Sequence, residues 1–488
     1  MSKMIPRLGL YLGPISFFLI YFFGESDGLG LEAQAMLALT AWMAIWWISE
    51  ALPIAVTSFL PLIFMPLLNI LPIGDVSSNY MHPTVMLYMG GFLLATAIEK
   101  WSLHRRIALS IINLIGTDLR MIVLGFIVAT GFISMWISNS ATALMMLPIG
   151  LAVVSQLKTQ LTGSDHKVSE NFGKNIMLGI AYSASIGGLG TLIGTPTNLV
   201  FAGVIEELYD YKVGFVQWMM FGVPLVIGLI LICWFYLVNF GNKLPKNFSI
   251  PGGKNIIENQ LKSLGKITYE EKAVLIVFGL VCFAWIIRGF VLDQLIPGID
   301  DTIIVLIGVL LVFVLPSSIP GERILDWKTA ERIPWGVLIL FGGGLALAEG
   351  FKVTGLADWI GSGFSLIEGI SFFMLLLILV ALVVFLSEVT SNVATASMIL
   401  PILASVALKF DLHPLGIMVG ATIAASCAFM LPVGTPPNAV VFASGYLQIR
   451  DMVKAGFLLN VISIILITLM VYFLLPIIWG IDLEKYPF

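Results

Sequence analysis

Apolar stretches of about 20 residues recur from one end of this chain to the other. One run, FFMLLLILVALVVFL (372–386), contains no polar side chain. A helix of about 20 apolar residues spans the hydrocarbon core of a bilayer. The composition agrees, because 59% of the 488 residues are hydrophobic and 11% are charged, whereas a soluble domain has roughly 25% charged residues. These features exclude a water-soluble protein and predict an all-α polytopic membrane protein.

The spacing of the apolar windows predicts about 11 transmembrane helices and two re-entrant helical hairpins. The first helix lies within residues 1–30, and the polar stretch 242–272 is predicted to be a cytoplasmic loop. Two longer apolar regions, 121–157 and 370–408, are each predicted to fold back on themselves as a hairpin. The predicted crossings are 8–24, 31–49, 52–72, 82–99, 175–203, 216–240, 273–291, 302–316, 335–349, 412–445 and 456–479.

Basic residues are distributed unevenly between the two sides of this topology. If the N-terminus is cytoplasmic, all but five of the 25 Lys and Arg residues fall on cytoplasmic segments, as the positive-inside rule requires. The exceptions are Lys212, Arg288, Lys352, Lys409 and Lys485. We therefore expect a multi-pass protein of the cell (cytoplasmic or inner) membrane with a cytoplasmic N-terminus.

Two polar motifs occur twice within these apolar regions. SMWISNSATALMMLPI (134–149) aligns without a gap with SEVTSNVATASMILPI (387–402), and 10 of the 16 positions are identical. GTPTNLV (194–200) likewise corresponds to GTPPNAV (434–440). The chain is therefore predicted to contain two repeats, 31–241 and 273–488, each with a polar-tipped hairpin and a broken helix (175–203 and 412–445). Because an odd number of crossings separates the two hairpins, the repeats are predicted to be inverted.

Polar groups at membrane depth persist only where protein or a cavity surrounds them, so the repeated motifs predict a binding site. Asn139 and Asn392 are each expected to open a helix and to cap its free N–H groups, and Gly-Thr-Pro is expected to break a helix. Helix N-termini suit anions, whereas C-termini and unwound carbonyls suit cations.

The charged side chains within the motifs indicate what kind of ligand the site is expected to bind. Glu388 is the only charged side chain within the motifs, and no Lys or Arg is there to neutralise an anion. A bound dianion would then need cations, and Ser, Asn and carbonyl oxygens suit Na⁺. A proton-coupled carrier would more often use intramembrane carboxylates or His. Glu388 itself could either be tied to nearby N–H and hydroxyl groups or act directly.

The sequence gives little support for an enzyme, a metal-cluster or disulfide-based protein, or a channel. The chain contains no H-E-x-x-H, no G-x-S-x-G and no intramembrane Asp pair, so we expect no enzyme and no cofactor beyond the coupling ion. Its four His and three Cys are scattered, which argues against a metal cluster or a disulfide framework. Nothing suggests a pore-lining ring of a channel.

The paired S-N-x motifs, the G-T-P-x-N breaks and EKWSLHRRIAL (99–109) resemble the divalent anion/sodium symporter (DASS) family. The resemblance implies Na⁺-coupled symport of C4-dicarboxylates such as succinate, malate and fumarate by an elevator mechanism. It also implies a homodimer in the lipid bilayer with no nucleic-acid partner. The family includes sulfate, tartrate and citrate carriers and dicarboxylate exchangers, and these remain alternatives.

The resemblance also assigns residues. It implies one Na⁺ site at Ser134, Ser138, Asn139 and Gly194, and another at Ser387, Thr390, Asn392 and Gly434. It implies substrate contacts from Asn139, Ser140, Thr195, Asn392, Val393 and Pro436. The family's motif is usually Ser-Asn-Thr, so Val393 departs from it by lacking a hydroxyl, and this departure bears on substrate preference.

Overall fold

The computed structural model describes residues 4–24, 28–116, 118–160, 166–246, 253–362 and 369–488. Lys3 and part of the predicted loop, 247–252, lie outside the described residues. The described part of the chain is built from helices and contains no β-strand beyond an isolated bridge between Pro316 and Arg323. The prediction of an all-α membrane fold is therefore confirmed.

Nine helical segments in the described part are long and apolar enough to cross a membrane, by length and composition. They are Ile5–Phe23, Leu31–Ser49, Ile73–Lys100, Asn139–Lys158, Phe215–Gly241, Tyr269–Leu295, Trp335–Thr354, Asn392–Lys409 and Ile449–Trp479. Shorter apolar helical segments accompany them, namely Ile54–Leu67, Leu119–Ser134, Asp301–Val314, Phe372–Ser387 and Pro414–Ala425.

The helices of the first half have the following bounds: α1 (Met4–Phe23), α2 (Leu31–Ser49), α3 (Ile54–Thr57), α4 (Leu60–Leu67), α5 (Ile73–Ser78), α6 (Pro83–Lys100), α7 (Leu103–Ile115), α8 (Leu119–Ser134), α9 (Asn139–Gln160), α10 (His166–Gly188), α11 (Pro196–Tyr209) and α12 (Phe215–Tyr236). A 3₁₀ turn, Asn79–Met81, precedes α6, and a π-helical turn, Leu237–Gly241, extends α12.

The second half continues with α13 (Gly253–Ser263), α14 (Tyr269–Ile287), α15 (Asp293–Leu295), α16 (Asp301–Val314), α17 (Trp327–Ala330), α18 (Trp335–Thr354), α19 (Leu356–Ser362), α20 (Phe372–Ser387), α21 (Asn392–Lys409), α22 (Pro414–Ala425), α23 (Pro436–Phe442), α24 (Ile449–Leu469) and α25 (Leu475–Trp479). Two more π-helical turns, Arg288–Leu292 and Met470–Leu474, join α14 to α15 and α24 to α25.

The structure differs from the sequence-based boundaries in two places. The predicted crossing 52–72 contains two short helices, α3 and α4, rather than one continuous helix. The predicted loop 242–272 contains the helix α13, which packs against α7. Both α7 and α13 are amphipathic, and such a helix needs only one apolar face, so average polarity does not reveal it. Leu109 and Ile112 of α7 are fully buried on that face.

The polar motifs coincide with interruptions of the helices in both halves. The pair α8–α9 is interrupted at 135–138, and the pair α20–α21 at 388–391. Helix α10 ends at Gly188 before α11 begins, and α22 ends at Ala425 before α23 begins. Small residues allow these elements to pack closely, because a Cβ on Gly187 would lie 2.2 Å from the carbonyl oxygen of Gly131. The order hairpin, helix, break, helix therefore occurs twice.

Candidate functional site

One cavity of about 840 Å³ brings the four interruptions of the helices together. All six predicted substrate residues line it, namely Asn139, Ser140, Thr195, Asn392, Val393 and Pro436. Among the residues predicted to bind Na⁺, the cavity lining includes Ser138, Asn139, Thr390, Asn392 and Gly434. Ser134, Gly194 and Ser387 are not part of the lining. The two halves, which are far apart in the chain, thus contribute to one shared site.

Another part of the cavity lining comes from residues that the sequence did not identify. Tyr88 and Phe92 of α6, Glu50 after α2 and Val337 of α18 contribute to it. Among the described lining residues, Glu50 is the only charged side chain, and none is Lys or Arg. No motif marks these positions, because they reach the cavity only through the packing of helices.

The first set of predicted ion ligands forms a compact group of oxygen atoms. Ser134 is fully buried, and its Oγ donates a hydrogen bond to the carbonyl oxygen of Ala184 at 2.6 Å. The same Oγ lies 2.8 Å from the side-chain oxygen of Asn139. The Asn139 amide also lies 3.1 Å from the Ala184 carbonyl and 3.2 Å from the Gly194 carbonyl. Three of the four predicted ligands therefore meet: Ser134, Asn139 and Gly194.

The orientation of the Asn139 amide depends on what occupies this group. With Oδ1 turned inward, the amide oxygen faces two carbonyl oxygens as well as the Ser134 hydroxyl. With the amide reversed, Nδ2 donates to the same three oxygens. Protein alone favours the reversed amide, because carbonyl oxygens repel one another and attract N–H donors. A cation among these oxygens would favour the inward-facing Oδ1.

The helix that opens at Asn139 is capped by its neighbour. The Ser138 hydroxyl accepts a hydrogen bond from the backbone N–H of Ala141 at 3.3 Å, which is the usual contact of an N-cap side chain. The expectation that Asn139 caps this helix is therefore wrong. Its longer side chain reaches back to Ser134, which leaves the shorter Ser138 side chain to cap.

The second set of predicted ion ligands is arranged differently. Ser387 Oγ and Asn392 Oδ1 are buried and have no hydrogen-bond partner within the described residues. Thr390 is already engaged, since its hydroxyl donates to the Leu386 carbonyl at 2.8 Å and lies 2.7 Å from the Thr395 hydroxyl. The capping expected of Asn392 is not seen either, because no backbone N–H of the described chain donates to its side chain.

Glu388 holds the loop that follows α22. Its Oε1 accepts hydrogen bonds from the backbone N–H of Phe429 at 2.7 Å and of Met430 at 2.8 Å, and from the Asn460 amide at 2.7 Å. Its Oε2 accepts from the N–H of Leu431 at 3.0 Å. Of the two roles left open by the sequence, the structure shows the carboxylate tied to N–H groups.

Two further Asn residues stabilise the breaks in α10–α11 and α22–α23. Asn198 donates to the carbonyls of Gly188 at 3.1 Å and Thr191 at 2.8 Å. Asn438 makes the equivalent bonds, to Ala428 at 3.2 Å and Leu431 at 3.0 Å. Both side chains are fully buried.

These two Asn residues were not among the predicted site residues. Each is the last residue of G-T-P-x-N, so their recurrence in both repeats was the signal that could have identified them. Their bonds to carbonyl oxygens fix the unwound backbone around Gly194 and Gly434, and they are positioning residues rather than cavity-lining ones.

A helical membrane protein in which hairpin tips and broken helices meet at one internal cavity has the architecture of a secondary transporter. The family model described as "Sodium:sulfate symporter transmembrane region" matches residues 8–480. The chain belongs to this family, the divalent anion/sodium symporters, and is a transporter rather than an enzyme.

Relatives and solved structures agree with this assignment. The chain is 46% identical over 484 residues to the "Sodium-dependent dicarboxylate transporter SdcS" of Staphylococcus saprophyticus, with 98% of this chain and 93% of that protein covered. The protein of the same name from Staphylococcus aureus strain USA300 is 45% identical over 486 residues, with the same coverage.

Two solved transporters share the fold at low sequence identity. Neisseria gonorrhoeae MtrF aligns with a TM-score of 0.58 at 12% identity, covering 97% of this chain and 95% of that one. Alcanivorax borkumensis YdaH aligns with a TM-score of 0.58 at 11% identity, covering 98% of both chains. At this identity the comparison supports the fold alone.

Proposed function

We propose that this protein is a Na⁺-coupled symporter of C4-dicarboxylates. The observation that carries the proposal is the composition of the cavity, where both polar motifs meet and no Lys or Arg lines the described wall. The names of the relatives, which are called sodium-dependent dicarboxylate transporters, support the same substrate and coupling ion.

The charge of a dianion must be balanced inside such a cavity. Four helices, α9, α11, α21 and α23, begin at residues lining the cavity or directly beside it. Their N-termini each provide about half a positive charge, which is favourable for carboxylates. Full positive charges must come from elsewhere, because the only charged side chain in the described lining is Glu50. Bound Na⁺ ions would supply them, and Na⁺ binding would thus favour dianion binding.

The oxygen groups in both halves fit a hard cation, which prefers oxygen ligands. In the first, Ser134, Asn139 and the Gly194 carbonyl would hold Na⁺, with Ser138 at the edge. In the second, Ser387 and Asn392 offer unpaired oxygens. Thr390 lies between them in sequence, and Gly434 lines the same cavity as Thr390 and Asn392. Asn139, Ser140, Thr195, Asn392, Val393 and Pro436 would then face the substrate.

The cavity also supports a transport cycle. It reaches Ile5, Glu50 and Pro334, which lie at helix ends assigned to the cytoplasmic side by the charge distribution. We therefore interpret the conformation as inward-facing. The hairpins and broken helices would move as one body against α2, α6 and α18, in an elevator-type motion. Helices α2, α6 and α18 would belong to a fixed scaffold, and this scaffold would also form the interface of a homodimer.

Uptake of succinate into proteoliposomes tests the proposal. We expect uptake to rise steeply with an inward Na⁺ gradient, and to remain low when K⁺ or choline replaces Na⁺. Uptake that ignores Na⁺ but requires internal dicarboxylate would identify an exchanger instead. Competition by sulfate, tartrate and citrate at equal concentration tests the other substrates, and stronger competition by one of them than by malate or fumarate would reassign the substrate.

Cysteine labelling tests the orientation. Lys254→Cys should react with a membrane-impermeant reagent only from the cytoplasmic side, and Asp210→Cys only from outside. Both positions lie beyond the candidate spans, so labelling reports their side directly. Labelling of position 254 in intact cells would contradict a cytoplasmic N-terminus and the inverted repeats together.

A further inference from the structure

A second cavity lies between α12 and α24, away from the residues of the candidate functional site. Its volume is about 480 Å³, within the range of about 300–1,000 Å³ typical of small-molecule sites. Seven residues line it, and six of them are purely apolar: Leu231, Ile232, Phe235, Phe240, Leu458 and Ile462. The seventh is Tyr236. We call this cavity the α12–α24 groove. Its lining suits a hydrocarbon chain and excludes a polar solute.

The groove has a defined floor and open sides. Tyr236 is 7% exposed, and its hydroxyl donates to the backbone carbonyl of Lys454 at 3.4 Å, which holds the two helices together. Phe235 and Phe240 project outward, at 54% and 69% exposure, with their rings 5.9 Å apart. The groove is therefore a defined pocket on the membrane-facing surface, with a fixed floor and exposed aromatic side chains at its sides.

Basic side chains lie at one end of the groove. Lys454, Leu458 and Ile462 are spaced four residues apart, so they share one face of α24, and Lys454 is an exposed residue in the second turn of that helix. The contact between Tyr236 and Lys454 places the end of α12 at the same level. Beyond the end of α12 the chain continues to Lys243 and Lys246 at this same level. Arg450 precedes Lys454 by one turn of α24.

These four basic residues have no ion-pair partner within the described residues. Asp451, the carboxylate nearest in sequence to Arg450 and Lys454, lies 3.2 Å from the Lys174 ammonium and is thus engaged. An apolar recess that ends in unpaired positive charge, at the end of a membrane span, matches an acyl chain joined to an anionic headgroup. Basic pockets between transmembrane helices are known to attract such lipids.

We propose that the α12–α24 groove is a binding site for an anionic phospholipid. One acyl chain lies along Phe235 and Leu458, and the headgroup phosphate is held by Lys454 with Lys243 nearby. This assignment goes beyond the proposed transport function, because it concerns a different surface and a different ligand.

The site is positioned to affect transport through α24. The face of α24 away from the groove carries Asn460, which donates to Glu388 at 2.7 Å. Gly456 packs against the backbone of the loop after α22, since a Cβ there would lie 2.2 Å from the carbonyl oxygen of Phe429. A lipid that stabilises the position of α24 would therefore also stabilise the loop after α22, which leads to Gly434.

Native mass spectrometry of the full-length protein tests the proposal, with phosphatidylglycerol and phosphatidylcholine offered at equal concentration. We expect one phosphatidylglycerol per protomer to be retained in preference to phosphatidylcholine. Lys454→Gln should weaken this binding about fivefold, the value of roughly one basic residue near a lipid surface, and Lys454→Arg should preserve it. Leu458→Trp should reduce binding by filling the groove while leaving the charge unchanged.

Lys272→Gln is the matched control, because Lys272 is an exposed lysine at the end of another span, α14. It should bind phosphatidylglycerol like the wild type. Equal retention of both lipids by the wild type, or unchanged retention by both Lys454→Gln and Leu458→Trp, would overturn the proposal. Because binding is measured directly, a failure here is distinguishable from a failure of Na⁺-coupled uptake.

Discussion

Replacing Glu388 tests how the second half of the site is held in place. Its carboxylate accepts four hydrogen bonds of 2.7–3.0 Å, two from buried donors and two from half-buried ones. Glu388→Ala leaves the N–H groups of Phe429, Met430 and Leu431 and the Asn460 amide without this acceptor. Each unpaired donor costs about 1–3 kcal/mol when it is buried. Because Met430 and Leu431 are half-buried and the Phe429 N–H keeps Asn460 Oδ1 as an acceptor at 3.3 Å, we expect a loss of roughly 3–4 kcal/mol in stability.

Glu388→Gln should be milder. One amide oxygen can still accept the three bonds now made by Oε1, whereas the new amide nitrogen faces the N–H of Leu431. The variant therefore loses one bond to a charged group, which is worth about 1.5–3 kcal/mol. Thermal unfolding midpoints of the purified proteins should fall in the order wild type, Glu388→Gln, Glu388→Ala, and succinate uptake should fall in the same order.

A double-mutant cycle isolates one of these bonds. Glu388→Ala and Asn460→Ala should be less than additive by about 1.5–3 kcal/mol, because both remove the same contact. Glu484→Gln, at an exposed position in the C-terminal segment, is the control and should leave midpoint and uptake unchanged. If Glu388→Ala unfolds at the wild-type temperature, the carboxylate does not stabilise this loop and the reasoning fails.

Substitutions at four further positions test the site and its surroundings. Asn139→Ala and Asn392→Ala should each lower Na⁺-dependent uptake about 10- to 100-fold, because each removes a contact to a charged group. Folded protein should still be recovered from both variants. Loss of folded protein would instead indicate a purely structural role for these residues. Val393→Thr adds a hydroxyl to the cavity wall and should change the relative uptake of succinate, malate and fumarate by about two- to tenfold, whereas an unchanged profile would show that this side chain does not face the substrate. His413 caps α22 through a ring nitrogen that accepts from the Leu415 N–H. Loss of a cap costs about 0.5–2 kcal/mol, so His413→Ala should lower the thermal unfolding midpoint, and the cap-preserving His413→Asn should lower it less. Equal midpoints for both variants would contradict this.

Much of the site follows from local sequence, because a buried polar group in a membrane is informative wherever it occurs. The repeated segments around Asn139 and Asn392, in apolar surroundings, predicted both helix starts correctly. The same reasoning predicted helix breaks at Gly194 and Gly434, since Gly-Thr-Pro cannot continue a helix. The predicted substrate residues line a single cavity.

Side-chain roles within the motifs required the tertiary structure. Ser138, rather than Asn139, caps α9 because the Asn139 amide reaches the oxygens of Ser134 and Gly194, which approach it only after α8, α9 and α10 have packed. The four donors to Glu388 come from residues more than 40 positions away along the chain. No local pattern contains such partners.

The sequence by itself determined the all-helical membrane fold, the duplicated motifs and the family. These depend on hydrophobicity and on backbone chemistry, which act over a few residues. Only the tertiary structure decided which walls enclose the cavity and which recesses open to the membrane. Tyr88 and Phe92 reach the site, and Lys454 meets Tyr236, because helices distant in sequence pack side by side. Contacts of this kind depend on the shapes of whole helices, and a single stretch of sequence does not specify them.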